Sequence, residues 1–464
     1  MKISSLIFVS GSALLAVSSV SAFSSVATKP SLASSTAARS STQLYQFAST
    51  AQQGLVDVTD IYSGRDVYSM EAWATQYGMQ KADGVDFYSA DGGNDYTLMT
   101  QSGVSAGQTV VYVPSDIVIN SMSVQQEFGQ SLQQAEATIV QIDQMAQMGS
   151  QYRLPLFRLM VKILSEWEKG QDSMWYPWLN SLPRQFFNGV SMTKACFNCL
   201  PPYAGWLTSN ERVNYSHFAR ALRQGYVPLS QETIGNRDVV KWAYNVALTR
   251  FHEYWTSDRV KCIGPMADML NHAAEPNCEI TVDFDGNVNV NALYDIPAGS
   301  PLTISLGDPT NPTPIFAQYG FLPQDCATIF CKAMHLESQI QELGYEFQEL
   351  LFQTQTGEIA PKVWDIFLYQ ILQQSDMGAA QQFCMACQNN DEGTKEQYHS
   401  EYFAYTLDAL KQHVYSILSD AENLTAKAQS YDQNMHPRVP VIVAHNRLVI
   451  QTFGMTASLL EQMG

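Results

Sequence analysis

Two stretches of the chain concentrate side chains that could hold and orient a reactant. The first is Asp268-Met269-Leu270-Asn271-His272-Ala273-Ala274-Glu275-Pro276-Asn277-Cys278, and the second runs from Gly307 to Phe321. Within the second, Gln318-Tyr319-Gly320-Phe321 offers a phenol whose hydroxyl can bond an amine and whose ring face attracts a cation. A packed core tyrosine is the competing reading. Asn271 and His272 add an amide and an imidazole, although an Asn-His pair taken alone carries little information. Arg250, in Thr249-Arg250-Phe251, is either a cation at the edge of a cleft or a salt-bridged structural residue.

Cysteine suggests a different chemistry. Cys196-x-x-Cys199 and Cys384-x-x-Cys387 together could form a four-thiolate zinc site if the fold joined them. They fall in segments assigned to different domains, so incidental buried thiols are preferred and no metal is expected. Eight cysteines in 464 residues do not make a disulfide-dense scaffold.

The elements that must position these residues can be read from periodicity. Asp83 to Ser121 reads as short strands, with Thr109-Val110-Val111-Tyr112-Val113 ending at Pro114 after the turn Ser105-Ala106-Gly107. Residues 125–255 read as helical: Phe157, Met160, Val161, Leu164 and Trp167 recur at helical spacing, Gly170-Gln171-Asp172 breaks the run, and Trp242, Val246 and Thr249 mark a further helix. Alternation returns at Cys278, Ile280, Val282 and Phe284, followed by Asp285-Gly286 and then Val288 and Val290, which predicts a hairpin with a tight primed turn. Leu302, Ile304 and Leu306 continue the two-residue period. From His335 the pattern is helical, with Ile340, Leu343, Phe347 and Leu350 expected on one stripe and Phe403, Leu407, Leu410, Val414 and Ile417 on another.

Strands, a helical insert, strands again and a helical C-terminal region define an α+β chain. That order, with the Asn-His stretch and Gly170-Gln171-Asp172-Ser173-Met174-Trp175-Tyr176-Pro177-Trp178-Leu179-Asn180-Ser181-Leu182-Pro183, resembles the SET-domain family, in the subgroup typified by the plastid Rubisco large-subunit methyltransferase. The resemblance covers about residues 80–464 and is weakest at Ala444-His445-Asn446-Arg447. It implies a SET domain over 80–330, with its pseudoknot and an insert at about 125–255, then a substrate-binding helical domain over 335–464. It implies S-adenosylmethionine (AdoMet) as cofactor and a lysine of a protein as substrate, Rubisco large subunit or another stromal enzyme such as aldolase. Asn271 and the backbone of His272 would bind AdoMet, Arg250 would sit at the cleft edge, and Tyr319 with Phe321 would line the channel for the lysine stem, Tyr319 acting catalytically. Cys326 and Cys331 weakly resemble a zinc cluster that closes some SET domains, which this subgroup lacks.

Two departures from the family pattern bear on activity. Leu306, in Ile304-Ser305-Leu306-Gly307-Asp308, stands where the family carries a catalytic tyrosine, and an isobutyl group has neither donor nor acceptor. Asp95-Tyr96-Thr97 stands where relatives have Gly-x-Gly, although Gly92-Gly93 lie just upstream and the register stays open. Tyr96 is a candidate for stacking on the cofactor. The alternative to an enzyme is therefore a SET-fold binding protein with little or no turnover.

Acidic residues outnumber basic ones by 44 to 26, which argues against nucleic acid as a partner. Residues 1–22 read as a signal peptide and 23–55 as a transit peptide or linker, because Val20-Ser21-Ala22-Phe23 resembles the bipartite presequence of algae with secondary plastids. The plastid stroma is the expected compartment. Simple secretion is the alternative, with Asn214-Tyr215-Ser216 and Asn423-Leu424-Thr425 as glycosylation acceptors. The leader is too short and serine-rich to suggest stable membrane insertion.

Overall fold

The computed structural model describes residues 54–145, 153–225, 227–323, 326–330 and 334–464. The presequence and Cys331 lie outside the described residues. Helix α1 (Val67–Gln76) precedes four strands, β1 (Gln80–Lys81), β2 (Val85–Tyr88), β3 (Thr97–Thr100) and β4 (Thr109–Val113), and a fifth, β5 (Ile119–Asn120), leads into the insert. Among the described residues eight helices follow: α2 (Ser121–Phe128), α3 (Gln130–Met145), α4 (Leu154–Glu168), α5 (Tyr176–Ser181), α6 (Lys194–Phe197), α7 (Pro202–Gln224), α8 (Gln231–Gly235) and α9 (Arg237–Arg250). Strands β6 (His252–Trp255) and β7 (Arg259–Ile263) close the insert by pairing in the order β5-β7-β6. The helices are thus spliced between β5 and β6, the two outer strands of a three-stranded sheet with β7 at its centre.

The expected stripe on α4 is real: Phe157, Met160, Val161, Leu164 and Trp167 are all buried. Gly170 ends it with φ of +57°, a conformation that costs glycine little. On α9, Trp242 and Val246 are buried in the same core.

Four short strands carry the site region. They are β8 (Asn271–His272), β9 (Cys278–Val282), β10 (Val288–Ala292) and β11 (Ser300–Pro301). A fifth, β12 (Thr303–Ile304), runs parallel to β8, with Thr303 opposite Asn271 and Ile304 opposite His272. A parallel pair needs a crossover, and here the β9–β10 hairpin supplies it. Strand order elsewhere is β1-β4-β10-β9 and β11-β3-β2.

The hairpin itself differs from expectation. Val282 pairs with Val288, leaving Asp283 to Asn287 as a five-residue loop rather than a two-residue primed turn. Asp283 causes this: its carboxylate accepts from the backbone N–H groups of Asp285 and Asn287, so the side chain builds the turn.

After α10 (Pro312–Tyr319), strand β13 (Thr328–Phe330) leads to α11 (Glu337–Glu342). The stripe expected from Ile340 to Leu350 does not lie on one helix. Gly344 adopts φ of +75° and stops the run, and β14 (Leu351–Gln353) then pairs with β13. Helices α12 (Pro361–Ser375), α13 (Met377–Asn389), α14 (Glu392–Glu401), α15 (Phe403–Gln429) and α16 (Val439–Gln462) complete the chain. Leu407, Leu410 and Val414 of the second expected stripe are buried on α15.

Candidate functional site

The loop from Ile263 to Leu270 delivers the first site residues. Met266, fully buried, adopts φ of +73°, a left-handed conformation that costs a non-glycine residue about 1–3 kcal/mol. A single 3-10 turn, Ala267–Met269, follows and buries the Asp268 carboxyl beneath the cleft. Burial pushes that carboxyl up, while Arg250, the indole of Trp178 and Arg65 pull it down, and the net shift is upward. The Trp178 Nε1–H donates to Asp268 Oδ2 at 3.1 Å. Arg250 Nη1 donates to the Asp268 carbonyl at 2.7 Å.

Arg65, which sequence reasoning missed, ties three segments together. Its guanidinium donates to the carbonyls of Ser181 (2.8 Å) and Asn94 (3.1 Å) and approaches the Met269 sulfur, while Tyr96 packs under it with the ring centroid 5.2 Å away. Burial and the neighbouring Arg250 push it down to about 10. Nothing local marks Arg65 in the sequence, because its partners lie from 29 to 204 residues away.

Strand β8 carries Asn271 and His272 to the far wall. The Leu306 backbone N–H donates to His272 Nδ1 at 3.1 Å, just past the end of β12. The third wall comes from α10. Gly320 caps that helix with φ of +85°, and an added Cβ would stand 2.4 Å from the Phe187 carbonyl carbon, so only glycine turns the chain here. Asn188 donates to the Gln318 carbonyl at 3.0 Å and the Gln318 amide donates to the Leu248 carbonyl at 3.2 Å, which fixes the end of α10 against α9. Helix α16 braces the other end, with buried His445 on Thr313 and Asn446 on the Cys199 carbonyl.

These walls enclose a cleft of about 660 Å³. Arg250, Asn271, Leu306, Tyr319 and Phe321 all line it, together with Asp268, His252 and the loop residues Asp91, Gly93, Asn94 and Asp95. His272 stands behind, its imidazole 6.0 Å from the Phe321 ring, which in turn lies 6.2 Å from Tyr319. Tyr96 is the candidate the structure does not bring into the cleft. Its ring is spent on Arg65 and on an edge contact with Phe87 at 6.1 Å, because the side chain alternates to the core side of the loop. Gly92 and Gly93 adopt φ of +80° and +105°, and Gly93 stands on the cleft lip.

Chemically, the cleft pairs cations with aromatic and apolar walls. Burial pushes the Tyr319 phenol upward, so the side chain stays a neutral hydroxyl at physiological pH. Burial and Arg250 together push His252 down to about 4, which keeps it neutral. Arg250 Nε, His252 Nε2 and Asp268 Oδ1 are buried without a hydrogen-bond partner among the described residues. A bound group bearing both ammonium and carboxylate would satisfy such a donor and acceptor set.

The cysteine pairs do not meet. Cys196 and Cys199 lie in a cluster with Phe316 and Val439, whereas Cys387 belongs to the core of α12 to α15. Among the described residues no group of three or more His, Cys, Asp or Glu is placed to hold a metal ion, and no helix is long and apolar enough to cross a membrane.

Residues 95–307 match the family model described as SET domain. Among solved structures, the SET domain of LSMT bound to lysine and AdoHcy is 12% identical with a TM-score of 0.54, covering 86% of this chain and 91% of that one. Rubisco LSMT bound to AdoMet is 13% identical with a TM-score of 0.53, covering 86% and 92%. Rubisco LSMT bound to sinefungin and monomethyllysine is 12% identical with a TM-score of 0.53 over the same shares. At such identities the likeness is one of fold. No curated protein sequence matches the chain. The match places a SET domain within the chain, which has an α+β fold and a helical C-terminal region.

Proposed function

We propose that this SET-domain chain transfers a methyl group from AdoMet to a lysine of a protein. One observation carries the reading: Asn271, Leu306, Tyr319 and the Gly93 loop, far apart in sequence, face one cleft. The solved relatives of this fold have AdoMet, AdoHcy, lysine and methyllysine bound. AdoMet, when bound, supplies an electrophilic methyl group on a sulfonium. Asn271, the 93–95 backbone and the unpaired polar atoms of Asp268 and Arg250 would hold its amino acid end.

The chain's own task is to align an uncharged amine. Tyr319 and Phe321 present adjacent rings to a lysine stem, and the neutral Tyr319 hydroxyl can accept a hydrogen bond from the amine nitrogen. Arg65 and Arg250 face the same space, but Asp91, Asp95 and Asp268 line it too, so the aromatic walls rather than net charge define the amine's path. Leu306 contributes no polar contact. Losing one positioned hydroxyl of this kind costs about 10²–10³ in rate, so Tyr319 acts as the remaining hydroxyl and turnover is slow. Leu306 also favours the second reading, a protein that binds cofactor and peptide without turnover. Incubation with methyl-labelled AdoMet and stromal extract separates the two: label on a protein lysine supports the enzyme, whereas cofactor binding without any label supports the binder.

The plastid stroma remains the compartment we propose, on the strength of Val20-Ser21-Ala22-Phe23 and the acid-free leader. Rubisco large subunit and stromal aldolase are the first substrates to test. A fluorescent fusion of residues 1–60, with and without Phe23, tests the address: plastid signal lost on removing Phe23 supports it, and secretion of both contradicts it.

A further inference from the structure

Beside the main cleft lies a smaller cavity of about 280 Å³, lined by Arg184, Lys241 and Arg438 among others. It shares Ile61, Arg184 and Phe186 with the main cleft, so the two are continuous along one face. Three parts of the chain build it: Arg184 follows α5, Lys241 sits on α9, and Arg438 immediately precedes α16. Three cations gathered in a chain of net charge −18 are not a consequence of composition.

None of the three forms a salt bridge with a carboxylate among the described residues. Arg184 donates to the carbonyls of Asp57, Leu179, Leu182 and Asn180 and to the Asn180 side chain, and Arg438 to the carbonyl of Phe186. Exposed Asp238 also lines the cavity, one turn before Lys241, without reaching ion-pair distance. Burial, Arg438 and Arg212 push Lys241 downward, and burial likewise lowers Arg438 and Arg184. Asp238 acts on Lys241, and Asp57 and Asp60 on Arg184, only across a distance. Three like charges gathered without a carboxylate in ion-pair contact mark a place where an anion would be stabilised.

Resting on the proposed function, we infer that this cavity takes the carboxylate of an acidic residue in the substrate polypeptide, and so selects lysines with Glu or Asp nearby. The spacing follows from α9, which carries Lys241 in the cavity and Arg250 in the main cleft. Nine residues of helix span about 13 Å, and an extended peptide covers that with about four residues. The selected carboxylate therefore lies about four positions from the methylated lysine.

The test uses the full chain with S-adenosylhomocysteine present. Labelled peptides carry one central lysine and a single Glu three to six positions to either side, each paired with its Gln counterpart, and binding is read by fluorescence anisotropy. The expected result is one placement at which Glu binds about tenfold tighter than Gln. That preference disappears in Lys241→Gln and persists in Lys241→Arg, which shows that the loss is one of charge and not of folding. No preferred placement, or a preference that survives Lys241→Gln, overturns the inference. Inorganic phosphate is the control for a free anion: phosphate binding that requires Lys241, with no Glu peptide preferred, also overturns it. Methyl transfer to the same peptides is scored separately. Transfer without Glu preference removes this role and leaves the proposed function intact, whereas Glu preference without transfer upholds the cavity and counts against the proposed function.

Discussion

The backbone N–H of Leu306 donates to the imidazole Nδ1 of His272 across 3.1 Å. Parallel pairing of β12 with β8 brings the two residues together from 34 positions apart. Nδ1 is therefore an acceptor and the proton sits on Nε2 when the ring is neutral. This bond fixes the residue beside Asn271 and places the Leu306 side chain at the cleft wall, where the proposed function calls for a hydroxyl facing the amine.

Leu306→Tyr is expected to raise methyl transfer by ~10²-fold. The check is the single-turnover rate with saturating AdoMet and a responsive substrate. An unchanged rate would mean that Tyr319 already supplies all the alignment a hydroxyl can give.

Tyr319→Phe keeps the ring and removes the hydroxyl, so it should cost ~10²-fold in kcat with little change in AdoMet affinity. A comparable loss in cofactor binding would instead place Tyr319 in the cofactor wall.

Much of this was legible in the sequence, and what was not follows a physical pattern. The stripe on α4 and the strand at Thr109–Val113 were readable because burial on one face imposes a period. Asn271, Leu306, Tyr319, Phe321 and Arg250 share the cleft because the β8–β12 crossing and the α10 cap converge there. Arg65 was invisible because its role depends on contacts with Ser181 and Met269, and no periodicity encodes those. The placement of Tyr96 outside the cleft lining was hidden for the same reason, since its ring packs against Arg65. The Ile340–Leu350 stripe misled because Gly344 turns the chain between two apolar segments of different structure.

Gly320→Ala should destabilise the chain by about 3 kcal/mol or more, since it adds backbone strain at φ of +85° to a clash with Phe187. A chemical denaturation midpoint checks this. A shift of a few tenths of a kcal/mol would show that the end of α10 can move, contrary to its assigned role in placing Tyr319.

Stability should fall at acid pH through Asp365. Burial raises this carboxyl, but hydrogen bonds from His399, Tyr345 and Lys395 overcome that and hold it below 3.8. The folded chain then binds fewer protons than the unfolded one below the ordinary value. The contribution is whole above 3.8 and is lost as pH falls through the lower folded value. Asp365→Asn should cost about 2–3 kcal/mol at neutral pH by removing the buried carboxylate shared by Lys395, His399 and Tyr345, which leaves Lys395 only the exposed Glu392 as ionic partner, and should flatten the acid limb of the melting profile. An acid limb as steep as that of the parent would contradict this.

The account rests on the cleft between β8, α10 and the Gly93 loop accepting a nucleoside with an amino acid tail. Isothermal titration of S-adenosylhomocysteine into the purified chain measures that without requiring turnover. We predict a single site, weakened about tenfold or more by Asn271→Ala. Absence of binding to a folded chain, or binding that Asn271→Ala leaves unchanged, would contradict it.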